Sequence, residues 1–124
     1  MIAFIGVSAA KATALTTAKQ PVPNRVQISA MIDTGASGTC IDPSILKALG
    51  LTPTGKATVN TPTTGATPEI KDQYDVSLTV PGAVATHAPL FVPTLAVIEA
   101  ELLFQGFHAL IGRDVLATCV LVYN

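Results

Sequence analysis

One strand that ends in a carboxylate constrains this chain more than any other feature. Val26, Ile28, Ala30 and Ile32 alternate with Gln27, Ser29 and Met31. That is the two-residue period of a strand with one buried face. Asp33, Thr34, Gly35, Ala36 and Ser37 follow directly. Gly35 permits a tight reversal, so the strand delivers an acidic group to the mouth of a turn. Well downstream, a second apolar run, Ala109-Leu110-Ile111, ends in Gly112-Arg113-Asp114.

Size limits what can surround these motifs. The sequence has 124 residues, which reads as a single domain over 1–124, with one core and no room for two independent lobes. It is 49% hydrophobic and only 12% charged. So little charge on a small domain points to apolar surface covered by a partner, although abundant Thr, Ser, Ala and Pro would also lower the charge. Seven basic and eight acidic residues are scattered, for a net charge of −1. There is no basic patch, and aromatic residues make up 5% with no Trp, so nucleic acid is not an expected partner.

Cys40 and Cys119 have no zinc-type spacing with each other or with His87 and His108. No metal or cofactor is expected. Free, buried thiols are the preferred reading, and a disulfide would need an oxidising compartment. Residues 1–10 lack a basic start and a long apolar core, so they read as a first strand over 2–7 rather than a signal peptide. No stretch is long and apolar enough to span a membrane. The cytoplasm is slightly favoured, and removal of a targeting or anchor segment is compatible with the sequence. Neither histidine has a serine or cysteine at a catalytic spacing, and Ser37 lacks the glycine frame of a serine hydrolase.

The remaining segments read as short strands and turns. Residues 8–24, ending in Pro21-Val22-Pro23-Asn24, read as an exposed connection. Asp42-Pro43 opens a short helix with Ile45, Leu46 and Leu49 on its apolar face and Gly50 at its end. Residues 56–75 suggest a long hairpin with its tip at 60–68. Tyr74, Val76, Leu78 and Val80 alternate before a Pro81-Gly82 turn. Residues 89–98 are a strand region interrupted by Pro93. Ala109 to Ile111 is a short core strand, 112–118 a short helix and 119–123 a last strand. Many short strands with few helical turns predict a small, partly open β-barrel.

Met31-Ile32-Asp33-Thr34-Gly35-Ala36 and Leu110-Ile111-Gly112, in this order, resemble the signature of the retropepsin-like aspartic proteases. These are single-lobed relatives of pepsin found in retroviruses and, in related form, in bacteria and eukaryotes. Arg113-Asp114-Val115-Leu116 resembles the segment that follows the family's glycine, and the likeness covers residues 26–123. The helix after Asp42 places the chain nearer the bacterial or cellular branch. The resemblance implies an all-β barrel with a flap hairpin and one or two short helices. It also implies a homodimeric endopeptidase. One carboxylate cannot work by a two-carboxylate route, so Asp33 would meet its copy from a second subunit.

The family likeness also implies residue roles. Thr34 would join a hydrogen-bond network across the dimer axis, and Gly35 would bring backbone close to the carboxylates. Ala36 and Ser37 would line the floor of the substrate site, with Thr63, Thr64 and Gly65 of the flap above an extended peptide. Leu110, Ile111 and Gly112 would pack under the loop, supported by Arg113. Asp114 is read as a capping or pairing residue rather than a second catalytic acid.

Two departures from the family pattern stand out. Many retroviral members carry an aspartate where Ser37 stands, paired with the arginine; here the partner of Arg113 is open among Asp42, Asp114 and the other subunit. The segment 60–68 has one glycine, Gly65, and is stiffened by Pro62 and Pro68. These departures leave a second reading open, a dimerisation or peptide-binding domain of the same fold with weak or no hydrolysis.

Overall fold

The computed structural model describes residues 1–59, 69–82 and 89–117. Its strands are β1 (Ile2–Val7), β2 (Val26–Ile32), β3 (Cys40–Ile41), β4 (Gly55–Val59), β5 (Glu69–Val80), β6 (Leu90–Glu99) and β7 (Ala109–Ile111). The helices are α1 (Ala9–Thr17), α2 (Pro43–Ala48) and α3 (Arg113–Leu116), with a 3-10 turn over Leu103–Gln105. Hydrogen bonding runs β1-β2-β7-β3-β6-β5, and β5 returns to β1. Six strands thus form a small, partly closed barrel, with β4 added on β5. The length of β5, 12 residues, lets it serve three neighbours. Its first half pairs with β4, its second half with β1, and its other edge with β6.

The period of two read in the sequence matches the pleat. In β2, Ile28 and Ala30 are buried while Gln27, Ser29 and Met31 are exposed. In β5, Tyr74, Val76 and Leu78 point inward. Ile5, Ile28, Ile41, Val97, Ile111 and Val115 complete the inaccessible centre. Each such side chain contributes about 1.5–3 kcal/mol by leaving water. The barrel interior is therefore a packed core, and function must lie at its mouth or rim.

The helix after Asp42 forms as its sequence dictates. Asp42 Oδ1 accepts the Ser44 amide at 2.9 Å, and Pro43 occupies the first turn. Gly50 takes a left-handed φ of 65°, which ends the helix at low steric cost. Ile45, Leu46 and Leu49 are buried.

Four features differ from the sequence reading. Residues 8–24 are not only a connection: Ala9–Thr17 is helical, so the described residues hold three helices rather than one or two. Ser8 Oγ caps α1 by accepting from the Lys11 amide at 3.2 Å. None of its residues is buried, so no apolar stripe marked it. Pro93 does not interrupt its strand. Val76 pairs with Leu95 and Leu78 with Val92, so Pro93 and Thr94 stand opposite Ser77 in a bulge. A bulge leaves ladder positions unpaired and tolerates the missing N–H. β3 and the 3-10 turn are too short to carry a period. The helix expected over 112–118 is assigned over Arg113–Leu116. The expected last strand, with Cys119, the hairpin tip 60–68 and His87 lie outside the described residues. Among the described residues, no helix is long and apolar enough to cross a membrane.

Candidate active site

The parallel pairing of β2 with β7 brings the two motifs side by side. Ala30 faces Ala109, Met31 faces Leu110 and Ile32 faces Ile111. Both strands stop together, so Asp33 and Gly112 emerge at one end of the barrel. The stitching continues past the strands. The Asp33 amide donates to the Ile111 carbonyl at 2.9 Å, and the Arg113 amide donates to the Ala36 carbonyl at 2.8 Å. Residues 77 positions apart in sequence, Ala36 and Arg113, are thereby joined through backbone alone.

Asp33 is half-buried. Its Oδ1 accepts the Gly35 amide at 2.9 Å, and its carbonyl accepts the Ala36 amide at 3.2 Å. No hydrogen bond from the described residues engages its Oδ2. One oxygen therefore fixes the carboxyl plane while the other is left without a hydrogen bond among the described residues. A side chain at position 35 would bring its Cβ within 3.2 Å of Asp33 Oδ1. Thr34 is exposed beside the carboxylate, and its side chain has no hydrogen bond among the described residues.

Gly112 shows why the second motif ends in glycine. A Cβ there would lie 2.4 Å from the Gly38 carbonyl oxygen and 2.9 Å from that of Ala36. Its φ of −93° is ordinary, so the demand is for space, not for an unusual backbone. The loop 36–38 lies directly on Gly112. Ile111 below it is buried, while Leu110 faces the opposite side and is half-buried.

Thr39 and Asp114 lock this contact. Thr39 is buried, and its hydroxyl donates to Asp114 Oδ1 at 2.8 Å and accepts the Gly112 amide at 3.2 Å. The Thr39 amide donates to Asp114 Oδ2 at 3.1 Å, and Asp114 Oδ1 also accepts the Val115 amide at 2.9 Å. Both Asp114 oxygens are thus spent on holding the loop. Asp114 is a pairing residue, as expected, although its main partner is Thr39. Nothing local in the sequence singled Thr39 out; its part depends on a residue 75 positions away. Arg113 is exposed and forms no ion pair among the described residues. Asp42 is not its partner, because Asp42 accepts the amides of Ser44, Leu102 and Leu103 instead.

Ala36 and Ser37, with Gly35, line a cavity of about 590 Å³ that runs from the loop toward the ends of β6 and β5. Cys40 lines it too. Burial pushes the Cys40 thiol above its ordinary value, and the carboxylates of Asp114 and Asp33 add to the rise. A thiol held protonated is a poor nucleophile, so Asp33 is the reactive candidate at this end of the barrel. Thr63, Thr64 and Gly65 lie outside the described residues. The arms β4 and β5 on either side of them are antiparallel, with Val59 facing Glu69.

A family model described as "Aspartyl protease" matches residues 22–115, a span that includes Asp33, Thr39, Gly112 and Asp114. A search of curated proteins found no match to the sequence.

Proposed function

This chain belongs to the aspartyl protease family, a hydrolase class, and on that premise we propose that it is a homodimeric endopeptidase in which each subunit contributes Asp33. The observation that carries the reading is a carboxylate at the end of β2 with one oxygen fixed by its own turn and the other not engaged by any hydrogen bond among the described residues. Asp114, the nearest rival by sequence motif, has both oxygens engaged. A two-fold axis supplies a second Asp33 without further sequence.

Apolar exposure near the loop supports association. Met31 is 49% exposed in the strand that delivers Asp33, and Phe104 is 80% exposed in the 3-10 turn. Met31 and Ile32 share a cavity of about 460 Å³ with Gly106 and Phe107, just beyond that turn. Thr34 and Arg113, both exposed, are available to a second subunit.

In this mechanism the two carboxyl groups share one proton. Repulsion between like charges splits their titrations, so one is ionised while the other is protonated. The ionised group takes a proton from a water, whose oxygen bonds to the scissile carbonyl carbon. The protonated group donates to the carbonyl oxygen. The tetrahedral intermediate collapses as the C–N bond breaks. The leaving nitrogen takes the proton that the first carboxyl received from water. The second carboxylate takes one from a hydroxyl of the intermediate, which leaves a carboxylic acid and restores the shared proton. The network of Thr39, Gly112 and Asp114 keeps the loop from reorganising during these transfers.

Replacing Asp33 by Asn keeps the shape and removes the ionisable group. Peptide hydrolysis should vanish while the melting temperature and the sedimentation behaviour stay close to those of the parent. Equal rates in the two proteins would remove Asp33 from the mechanism. An active protein that sediments as a monomer at every concentration would remove the dimer.

A further inference from the structure

The cavity beside the Asp33 loop has an uneven lining. Near the loop it is formed by small groups, Gly35, Ala36 and Ser37, and by the apolar flanks of Cys40, Ile98 and Leu110. Away from the loop it is formed by Glu69, Glu99 and Glu101, with Lys71 the one cation among the described lining residues. The topology explains the convergence. The end of β6 lies between β3 and β5, with Ile98 facing both Cys40 and Gln73. Glu99 ends that strand and Glu101 follows it, while Glu69 and Lys71 come from the start of β5.

The charges do not cancel. The Lys71 ammonium is taken by Glu69 at 3.0 Å. Glu99 and Glu101 have no ion pair or hydrogen bond among the described residues. Lys71 also feels the charges of Glu99 and Glu101, and Lys56 that of Glu99, but three carboxylates face one ammonium in the lining, so the cavity joins apolar flanks to a net negative rim. This matches the two-part character of a long basic side chain, with a hydrocarbon stem and a charged head that stays partly hydrated.

We propose that this cavity is a specificity pocket for a lysine or arginine side chain of the substrate, with the stem along Ile98 and Leu110 and the cationic head at Glu99 and Glu101. The proposal rests on the peptidase reading given above. It adds the class of substrate: an extended peptide carrying a basic residue at a fixed distance from the cleaved bond. The two glutamates act on binding and selection, not on the bond-breaking step.

The test uses the full chain and decapeptides of alanine, serine and leucine with one lysine, or one methionine in its place, at each position in turn. For at least one position, wild-type protein at mildly acidic pH should cleave the lysine peptide about fivefold more efficiently than its methionine twin, as two rim charges of this exposure would produce. In the double variant E99Q/E101Q that ratio of kcat/KM should fall toward one, and rising salt should lower it in the wild type. Cleavage without a lysine preference, or with a preference unchanged in the variant, would overturn the pocket. Binding of the same peptides to the Asp33→Asn protein, read by fluorescence anisotropy, separates the two levels. About fivefold tighter binding of lysine peptides without any wild-type cleavage would keep the pocket and refute the peptidase. Equal binding of both peptides would refute the pocket even if cleavage occurs.

Discussion

Asp42 provides a quantitative test of how the barrel holds its rim. The residue is only 5% exposed. Its carboxylate accepts the amides of Leu102 at 2.8 Å, Ser44 at 2.9 Å and Leu103 at 3.1 Å. Burial alone would raise its pKa, but the hydrogen bonds from Leu102, Ser44 and Leu103 outweigh it and hold the group at about 2, below the ordinary 3.8. At ~1.36 kcal/mol per unit, that difference is worth roughly 2 kcal/mol of stability. The folded value lies below the unfolded one, so this stability is fully present well above 3.8 and is lost as pH falls through 3.8 toward 2.

Asp42→Asn keeps the size and one acceptor oxygen while removing the charge. Urea unfolding should find the variant less stable by about 2–3 kcal/mol at pH 6, with most of that gap closed by pH 2. A gap of the same size at both pH values, or one under about 0.5 kcal/mol at pH 6, would refute the reasoning. The answer matters for function, because a carboxyl pair sharing a proton works on the acid side. Asp42 would then be one limit on how far into acid the enzyme keeps its fold.

Substitutions at two further positions probe the loop directly. Gly112→Ala must displace the loop 36–38, since its Cβ would sit 2.4 Å from the Gly38 oxygen. It should cost about 1–3 kcal/mol by calorimetry and reduce peptide turnover beyond what the lost folded fraction explains. Thr39→Val removes the hydroxyl that joins Asp114 to the Gly112 amide. Leaving those groups unsatisfied should cost about 1–3 kcal/mol in urea unfolding, whereas Thr39→Ser should restore most of it.

What the sequence revealed depended on how local each signal was. The alternation through Val26, Ile28, Ala30 and Ile32, and the cap at Asp42-Pro43, act within a few residues, and both are seen in the fold. Gly112 could be flagged from its motif, but its neighbours Gly38 and Ala36 could not. Thr39 looked like one threonine among many, because its role exists only across the β2–β7 junction. Helix α1 buries no side chain and left no period to read. Pro93 reads as an interruption in the sequence because the bulge that accommodates it depends on β5. Glu99 and Glu101 were isolated charges in a line of text, and only the neighbouring strands β3 and β5 give them a common cavity.

The stitching of Ala36 to Arg113, and of Thr39 to Asp114, also dictates when the site can come into being. These contacts close loops of more than seventy residues, and such closures come late because their entropic cost precedes any gain. During synthesis, the Asp33 turn leaves the ribosome long before the segment that will hold it. A chain interrupted before Ala109 therefore carries the acidic residue without the brace that orients it. For an enzyme of this family, this ordering is a safeguard: the site is braced only after the segment through Asp114 has been made.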